Sequence, residues 1–567
     1  MSTQTGVSPG AGPGSRDNGS AGSGSRGHES RVRRALWTTC AVAAMALLLV
    51  AYWLQARSAA VSSDGASIIL QASDLRHGNL LLHGWDTADV SFYGTELVQY
   101  ALLLIVLPMS PGLVFVAGAM TYTLLVAGAA LLARGRAAGR EGIIRACAGA
   151  GIMLAPAPGT LTALLLHAPD HVGSAVPVLL AWLVIDRCRP RWYVPVSVCL
   201  LLTWGQVGDQ LVEITGVAAI VVACGVRSAW ELLRRRRPSW FEPSLAAAAI
   251  VSFGLAKLVT AGIRAAGGFT PAPVNTSWSG LTALWQHAAL TGEGLLGLFG
   301  AAFWTKGLTP LQLAFSCLHL VGVALAVAGL ALALRRFFRP DALLTAGLAT
   351  AIVLNVAAFT ASGYVDNIIS VREAAAVLPF AAICAGRLLP GRLLSGSVRL
   401  DSPRSGPLAR IPLARLRVRL APVLAVIGAA YLAMLGVNAA TARPAPPAQA
   451  AIAGWLSDHH LTNGLAAGYW LSNIVTVDTG GQVKVRQIRV TRGAVTPPPD
   501  WEINTLWYDP AVSQADFLLT NAAPGSAAWE TQVRAAERDF GTPSRIYRVD
   551  GVSVLTWHTN LLIALRH

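Results

Sequence analysis

The chain has 567 residues, of which 54% are hydrophobic and only 13% charged. A soluble protein carries roughly twice that charged fraction, and repeated apolar runs of about twenty residues identify a polytopic membrane protein instead. The net charge of +15 does not point to nucleic acid, because the arginines form short clusters between apolar runs, as cytoplasmic loops do, rather than one stripe.

Residues 1–30 are rich in Gly, Ser and polar side chains without periodicity and read as a disordered cytoplasmic tail. Arg31, Arg33 and Arg34 then precede the apolar run 35–54. That run is too long for a cleaved signal core, so it reads as a retained signal-anchor with the N-terminus in the cytoplasm. Ten further spans follow: 110–133, 143–166 (broken by Pro156 and Pro158), 172–185, 192–207, 211–226, 244–263, 311–334, 341–359, 373–389 and 420–440. With eleven crossings, the arginine clusters at 134–145, 187–191, 234–237, 335–339 and 392–419 all fall on the cytoplasmic side. Two shorter apolar stretches, 96–107 and 290–304, are too short to cross and are expected to be interfacial or re-entrant on the opposite side.

The seven cysteines lie in or beside apolar runs without C-x-x-C spacing, so packing explains them better than a disulfide framework or zinc. After the transmembrane part, residues 31–441, the pattern changes to that of a small extracytoplasmic α/β domain over 442–567. Within it, 515–519 reads as a buried strand and 527–540 as an amphipathic helix. The runs 545–549 and 552–557 flank Asp550-Gly551, a type I′ hairpin signal.

Ionisable residues at the ends of spans are costly and mark function. They gather here on loops of one side: Asp64, Asp74, Asp86, Asp89 and Glu96 after the first span, then His167, Asp170 and His171, then Asp209 and Glu213, and finally Asp366, Arg372 and Glu373. A transporter would place such groups near mid-membrane on broken helices, and would show repeated halves. Bland readings stand beside the functional ones. Asp64 could cap the helix it opens, Asp86 and Asp89 could be turn residues, and Arg372 could snorkel at the interface. His167 and His171 have the i,i+4 spacing of metal ligands, but Pro169 between them disfavours a regular helix. Trp85, Phe92 and Tyr93 fit an aromatic belt or a sugar-stacking surface.

At these residues the chain resembles the GT-C superfamily, multispan glycosyltransferases that use polyprenyl-phosphate sugars, and among them bacterial relatives of protein O-mannosyltransferases. The resemblance covers roughly residues 35–440. It rests on Asp64 soon after the first span, the run to Asp74, Gly78-Asn79, and the stretch Thr95 to Leu107. The H-x-x-D-H stretch at 167–171, Gly208-Asp209 and Ser370-Val371-Arg372-Glu373 add to it. Where the family carries an Asp-Glu pair, this chain has Asp64-Gly65.

The resemblance implies a membrane glycosyltransferase that moves a hexosyl or pentosyl unit from a lipid-phosphate sugar to a cell-envelope glycan, lipid or protein at the outer face of a bacterial plasma membrane. A carboxylate is needed to take the acceptor's proton, with Asp64 the first candidate and Asp74 the second. Arg372 would meet the phosphate of the leaving lipid, and Glu96, His167, Asp170, His171 and Asp209 would line the substrate site. No cofactor is specified, and a divalent cation is left open. The apolar lipid should enter sideways between spans, so 290–304 is expected to wall that entrance within reach of Arg372. The alternatives are a transporter or lipid flippase, and a non-catalytic sugar-binding membrane subunit.

Overall fold

The structure is a computed structural model that describes residues 22–167, 171–234, 239–274, 277–388, 420–491, 494–497 and 501–565. Two compact units divide between Leu49 and Val50. In the first, the described residues form most of helix α1 (Gly22–Ala56), whose apolar part, Ala35–Ala56, is long enough to cross a membrane.

In the second unit, each remaining predicted span carries helix. Counting α1, six helices among the described residues are long and apolar enough to cross. Ile368–Ala374 and Val377–Leu388, bent by 58° at their junction, make a seventh if taken as one span. Three of the other four predicted spans carry shorter or broken helices. The run 143–166 divides into Gly139–Met153 and Thr160–Leu166, because Pro156 and Pro158 remove donors and Gly159 takes a φ of 128°. Ala175–Arg187, Tyr193–Gly208 and Leu420–Thr441 occupy three more.

Sequence signals set several ends. Thr309 and Gln312 form a capping box with Pro310 at the first helical position, opening Pro310–Arg335. Helix packing is close where glycine permits it. A Cβ on Gly347 would sit 2.0 Å from the Trp182 ring, so Leu343–Ala361 and Ala175–Arg187 touch only because that carbon is missing.

The expected interfacial segment is Glu96–Val106, which buries Leu97, Tyr100 and Leu104 and exposes Val98, Leu102 and Ile105. It stops before Pro108, which cannot continue it. The second short segment forms Leu284–Leu298, beginning six residues before the predicted start (290 against 284), and residues beyond Leu298 leave the helix.

The loops sort to two ends of the bundle. At one end single arginines tie the helices together: Arg387 pairs with Asp186 at 2.5 Å, and buried Arg227 pairs with Glu242 at 2.8 Å. At the other, a three-stranded sheet joins distant segments, with Trp85–Thr87 parallel to Thr270–Pro271 and antiparallel to Ile503–Asn504. The C-terminal part is a six-stranded mixed sheet. Its parallel centre is Lys484–Val490, Asn463–Ala467 and Phe517–Thr520, with antiparallel strands Val495–Thr496 on one edge and Val552–Thr556 and Arg545–Val549 on the other. The hairpin turns at Asp550-Gly551 with φ of 45° and 80°, as the type I′ signal requires. The amphipathic helix is Ala527–Phe540.

Candidate active site

The polar residues of the loop end form two groups. The first is built on the helix Ser63–Arg76. Ser62 caps it by accepting from the Gly65 N–H, so Asp64 is not the cap; it stands in the first turn, where the helix dipole favours a carboxylate. Its Oδ1 accepts a 2.5 Å hydrogen bond from the Tyr469 hydroxyl. Tyr469 opens the helix Tyr469–Asp478, and its carbonyl accepts from the Ser63 hydroxyl at 2.9 Å. Burial, then the charges of Glu502 and Asp64, hold the Tyr469 phenol well above its ordinary pKa, so it remains the donor.

Glu502 sits behind this pair. Its carboxylate accepts from Gln71 Nε2 at 2.7 Å and from the Ala88 N–H at 3.2 Å. Burial and then the Asp64 charge push its pKa up to about 8. Its φ of 54° is rare for a side chain of this size. Nothing in the sequence around Glu502 marks it, because the residues it meets are more than four hundred positions away.

The second group centres on His171. Its Nδ1 lies 3.0 Å from Asp209 Oδ2 and its Nε2 lies 3.1 Å from Glu373 Oε1. Burial opposes a charged imidazole, but the two carboxylates outweigh it and hold the pKa of His171 well above its ordinary value. Arg372 Nε approaches the same Glu373 oxygen at 3.7 Å. Asp209 also accepts the Leu211 N–H at 2.8 Å, just ahead of a π-helical turn, Glu213–Ala218. Asp89 faces the cluster, its pKa raised mainly by burial against the pull of His171. Asp89, His171, Asp209 and Glu373 border a cavity of about 270 Å³ whose apolar wall includes Trp278 and Phe359.

Glu96 is fully enclosed beside this group, and a Cβ on Gly173 would meet its Oε1 at 1.5 Å. Burial raises its pKa to about 7.

Of the predicted residues, Glu96, His171, Asp209 and Arg372 therefore converge, joined by Glu373 and by Asp89, which the sequence offered as a turn residue. Asp64 and Asp74 share one helix but stand ten residues apart, about 15 Å along its axis. Asp74 accepts from Trp85 Nε1 at 2.7 Å and Asn504 Nδ2 at 3.4 Å. His167 is engaged elsewhere, with Nε2 2.8 Å from the Ala56 carbonyl. Asp170 lies outside the described residues. Trp85 is neither belt nor open platform: it is 1% exposed, edge-on to Trp507. Among the described residues no group of three or more His, Cys, Asp or Glu side chains is arranged to hold a metal ion.

No family model and no curated protein sequence matches the chain. Its structure is similar to the crystal structure of ArnT from Cupriavidus metallidurans in the apo state, at 14% identity and a TM-score of 0.51, over 94% of this chain and 100% of that one. It is also similar to the Archaeoglobus fulgidus oligosaccharyltransferase in complex with Zn and sulfate, at 12% identity and a TM-score of 0.47, over 88% and 71% of the two chains. A third likeness is to arabinofuranosyltransferase AftD from Mycobacteria, at 16% identity and a TM-score of 0.30, over 89% of this chain and 40% of that one. The fold assignment stands on the first of these, which matches both chains nearly end to end. The chain has the GT-C fold.

Proposed function

We propose that this protein is a membrane glycosyltransferase that moves a sugar from a polyprenyl-phosphate donor to a cell-envelope acceptor at the outer face of a bacterial plasma membrane. One observation carries the reading: an apolar groove and the charged cluster lie on two sides of the helix Leu343–Ala361. Thr360 and Ala361 line the groove, while Phe359 and Ser362 line the cavity of His171, Asp209 and Glu373.

The groove is about 650 Å³ and almost wholly apolar, with Leu295, Phe299, Val327, Val353 and Ala381 among its walls. That suits an isoprenoid chain, which gains nothing by leaving the bilayer. The helix Leu284–Leu298 forms one wall, and its Gly294 packs on Val371, the neighbour of Arg372. A guanidinium there can pair with the phosphate as the bond to sugar breaks. In the transfer, Asp64 takes the proton of the acceptor hydroxyl, the acceptor oxygen bonds to the anomeric carbon, and the lipid phosphate leaves with the electron pair.

The test is transfer by the full-length protein in lipid nanodiscs, with a panel of polyprenyl-phosphate sugars, with and without a divalent cation. Arg372→Ala should weaken donor use, and Asp64→Asn should stop turnover while donor still binds. Full activity in both Asp64→Asn and Asp74→Asn would remove the assigned base. Absence of transfer from every donor, together with lipid or solute flux, would favour the transporter reading.

A further inference from the structure

A cavity of about 820 Å³ outside that site lies between the helix Ser63–Arg76 and the C-terminal sheet. We infer that it is a binding site for an anionic saccharide, a glycan bearing a carboxylate or phosphate.

Arg486, on the strand Lys484–Val490, supplies the central group. Its guanidinium lies 3.7 Å over the Trp507 ring, and Trp507 is braced edge-on by buried Trp85 at 4.9 Å. The stack fixes the plane of the fork, which is what bidentate recognition of an oxyanion needs. No ion pair reaches Arg486 among the described residues, and its Nη1 is sealed from solvent without a hydrogen-bond partner. Arg486 itself lines the cavity beside Trp507, so the stacked residue borders the space a ligand would fill. Burial lowers the Arg486 pKa only to about 10, which leaves it charged at neutral pH.

The surroundings agree in sign and chemistry. Lys484 lines the same cavity and is exposed, giving a second cation. Asp74 is the opposing carboxylate, but it is engaged by Trp85 and Asn504. His77 turns its Nδ1 to the Ser73 carbonyl. Much of the remaining lining is hydroxyl and amide, as in Thr476, Gln514 and Asn560, which suits sugar hydroxyls better than an acyl chain or a nucleobase. The volume is within the roughly 300–1,000 Å³ of small-molecule sites, enough for a short oligosaccharide. If the transferase reading holds, an acidic unit of the acceptor held here would stand about 15 Å along the helix from Asp64.

Binding is measured by calorimetry and tryptophan fluorescence on the full-length protein in nanodiscs of neutral lipid. The probes are trigalacturonate, trehalose 6-phosphate and, as neutral control, maltotriose; the two acids distinguish carboxylate from phosphate. At least one acid should bind about tenfold or more tightly than maltotriose. Arg486→Gln should weaken it by a similar factor, and Lys484→Ala severalfold without a change in thermal unfolding, since that side chain is exposed. Acids binding no better than maltotriose, or both variants binding as wild type, would overturn the site. Association only with phosphatidylglycerol vesicles, and not with the free acids, would overturn it in favour of a lipid headgroup. Acid binding without any sugar transfer would leave this site standing and remove the transferase reading.

Discussion

Asp64 and His171 show what single carboxylates and imidazoles are asked to do here. Asp64 accepts a short hydrogen bond from a phenol that keeps its own proton, so its carboxylate is oriented while one oxygen stays available. Asp64→Asn should lower kcat about 10²–10⁴-fold, the range for losing a general base, with little change in donor affinity. Tyr469→Phe should cost less, because it removes the orienting bond and leaves the proposed base; steady-state kinetics on both variants separate the two effects. His171 is 8% exposed and bridges two carboxylates, so its charge is structural whatever else it does. His171→Ala leaves Asp209 buried without its cation, and leaves Glu373 with only the 3.7 Å approach of Arg372. A loss of about 3–5 kcal/mol is expected from breaking such a pair, read as thermal unfolding in detergent. Adding Asp209→Asn to the same chain should recover part of it, because the buried carboxylate left without a cation is gone.

At the scale of elements, the decisive piece is Leu284–Leu298. Its small residues let it lie close to its neighbours, with Gly294 on Val371, and Thr291 receives a hydrogen bond from Thr360 at 3.2 Å. These contacts set the width of the apolar groove between this helix and Leu343–Ala361. A cysteine pair at Thr291 and Thr360 should crosslink readily and pin the helix across the groove. Binding of a polyprenyl-phosphate analogue should then fall and return on reduction. Crosslinking without effect on that binding would mean the lipid enters elsewhere.

Across the whole molecule, the C-terminal sheet is bound to the first loop through buried polar groups as well as apolar packing. Ile474 and Val477 join the core of Ile69, Leu97 and Tyr100, and Glu502 is stitched to Gln71 and Ala88. Glu502 is 6% exposed, with a pKa of about 8 in place of the ordinary 4.5. Between those pH values the folded protein holds a proton that the unfolded chain has released. Stability therefore falls as pH rises from about 4.5 to about 8 and levels off above that. Glu96, raised to about 7 by burial, acts in the same direction. Glu502→Gln should flatten the decline of melting temperature over this range, leaving the smaller slope that Glu96 supplies. An unchanged slope would show that the Glu502 carboxyl ionises as freely as in the open chain.

Periodicity and punctuation in the chain were enough to locate the apolar helices and the C-terminal hairpin. Eleven apolar runs carry helix, Pro156 and Pro158 break the third, and Asp550-Gly551 makes its hairpin, because each depends on neighbours within a few residues. The placement of acidic loops after alternate spans likewise made Glu96, His171, Asp209 and Arg372 legible as one group, since span parity alone sends those loops to one end. Tertiary structure decided what parity cannot carry. Burial of Glu502 and Asp89 depends on chain segments that close over them from far away in sequence. The separation of Asp64 from Asp74 follows once both lie on one helix, whose rise sets them about 15 Å apart. Arg486 shows the limit most clearly: in the sequence it is an ordinary strand arginine, and only the approach of Trp507 and Trp85 makes it a fixed cation lining a cavity.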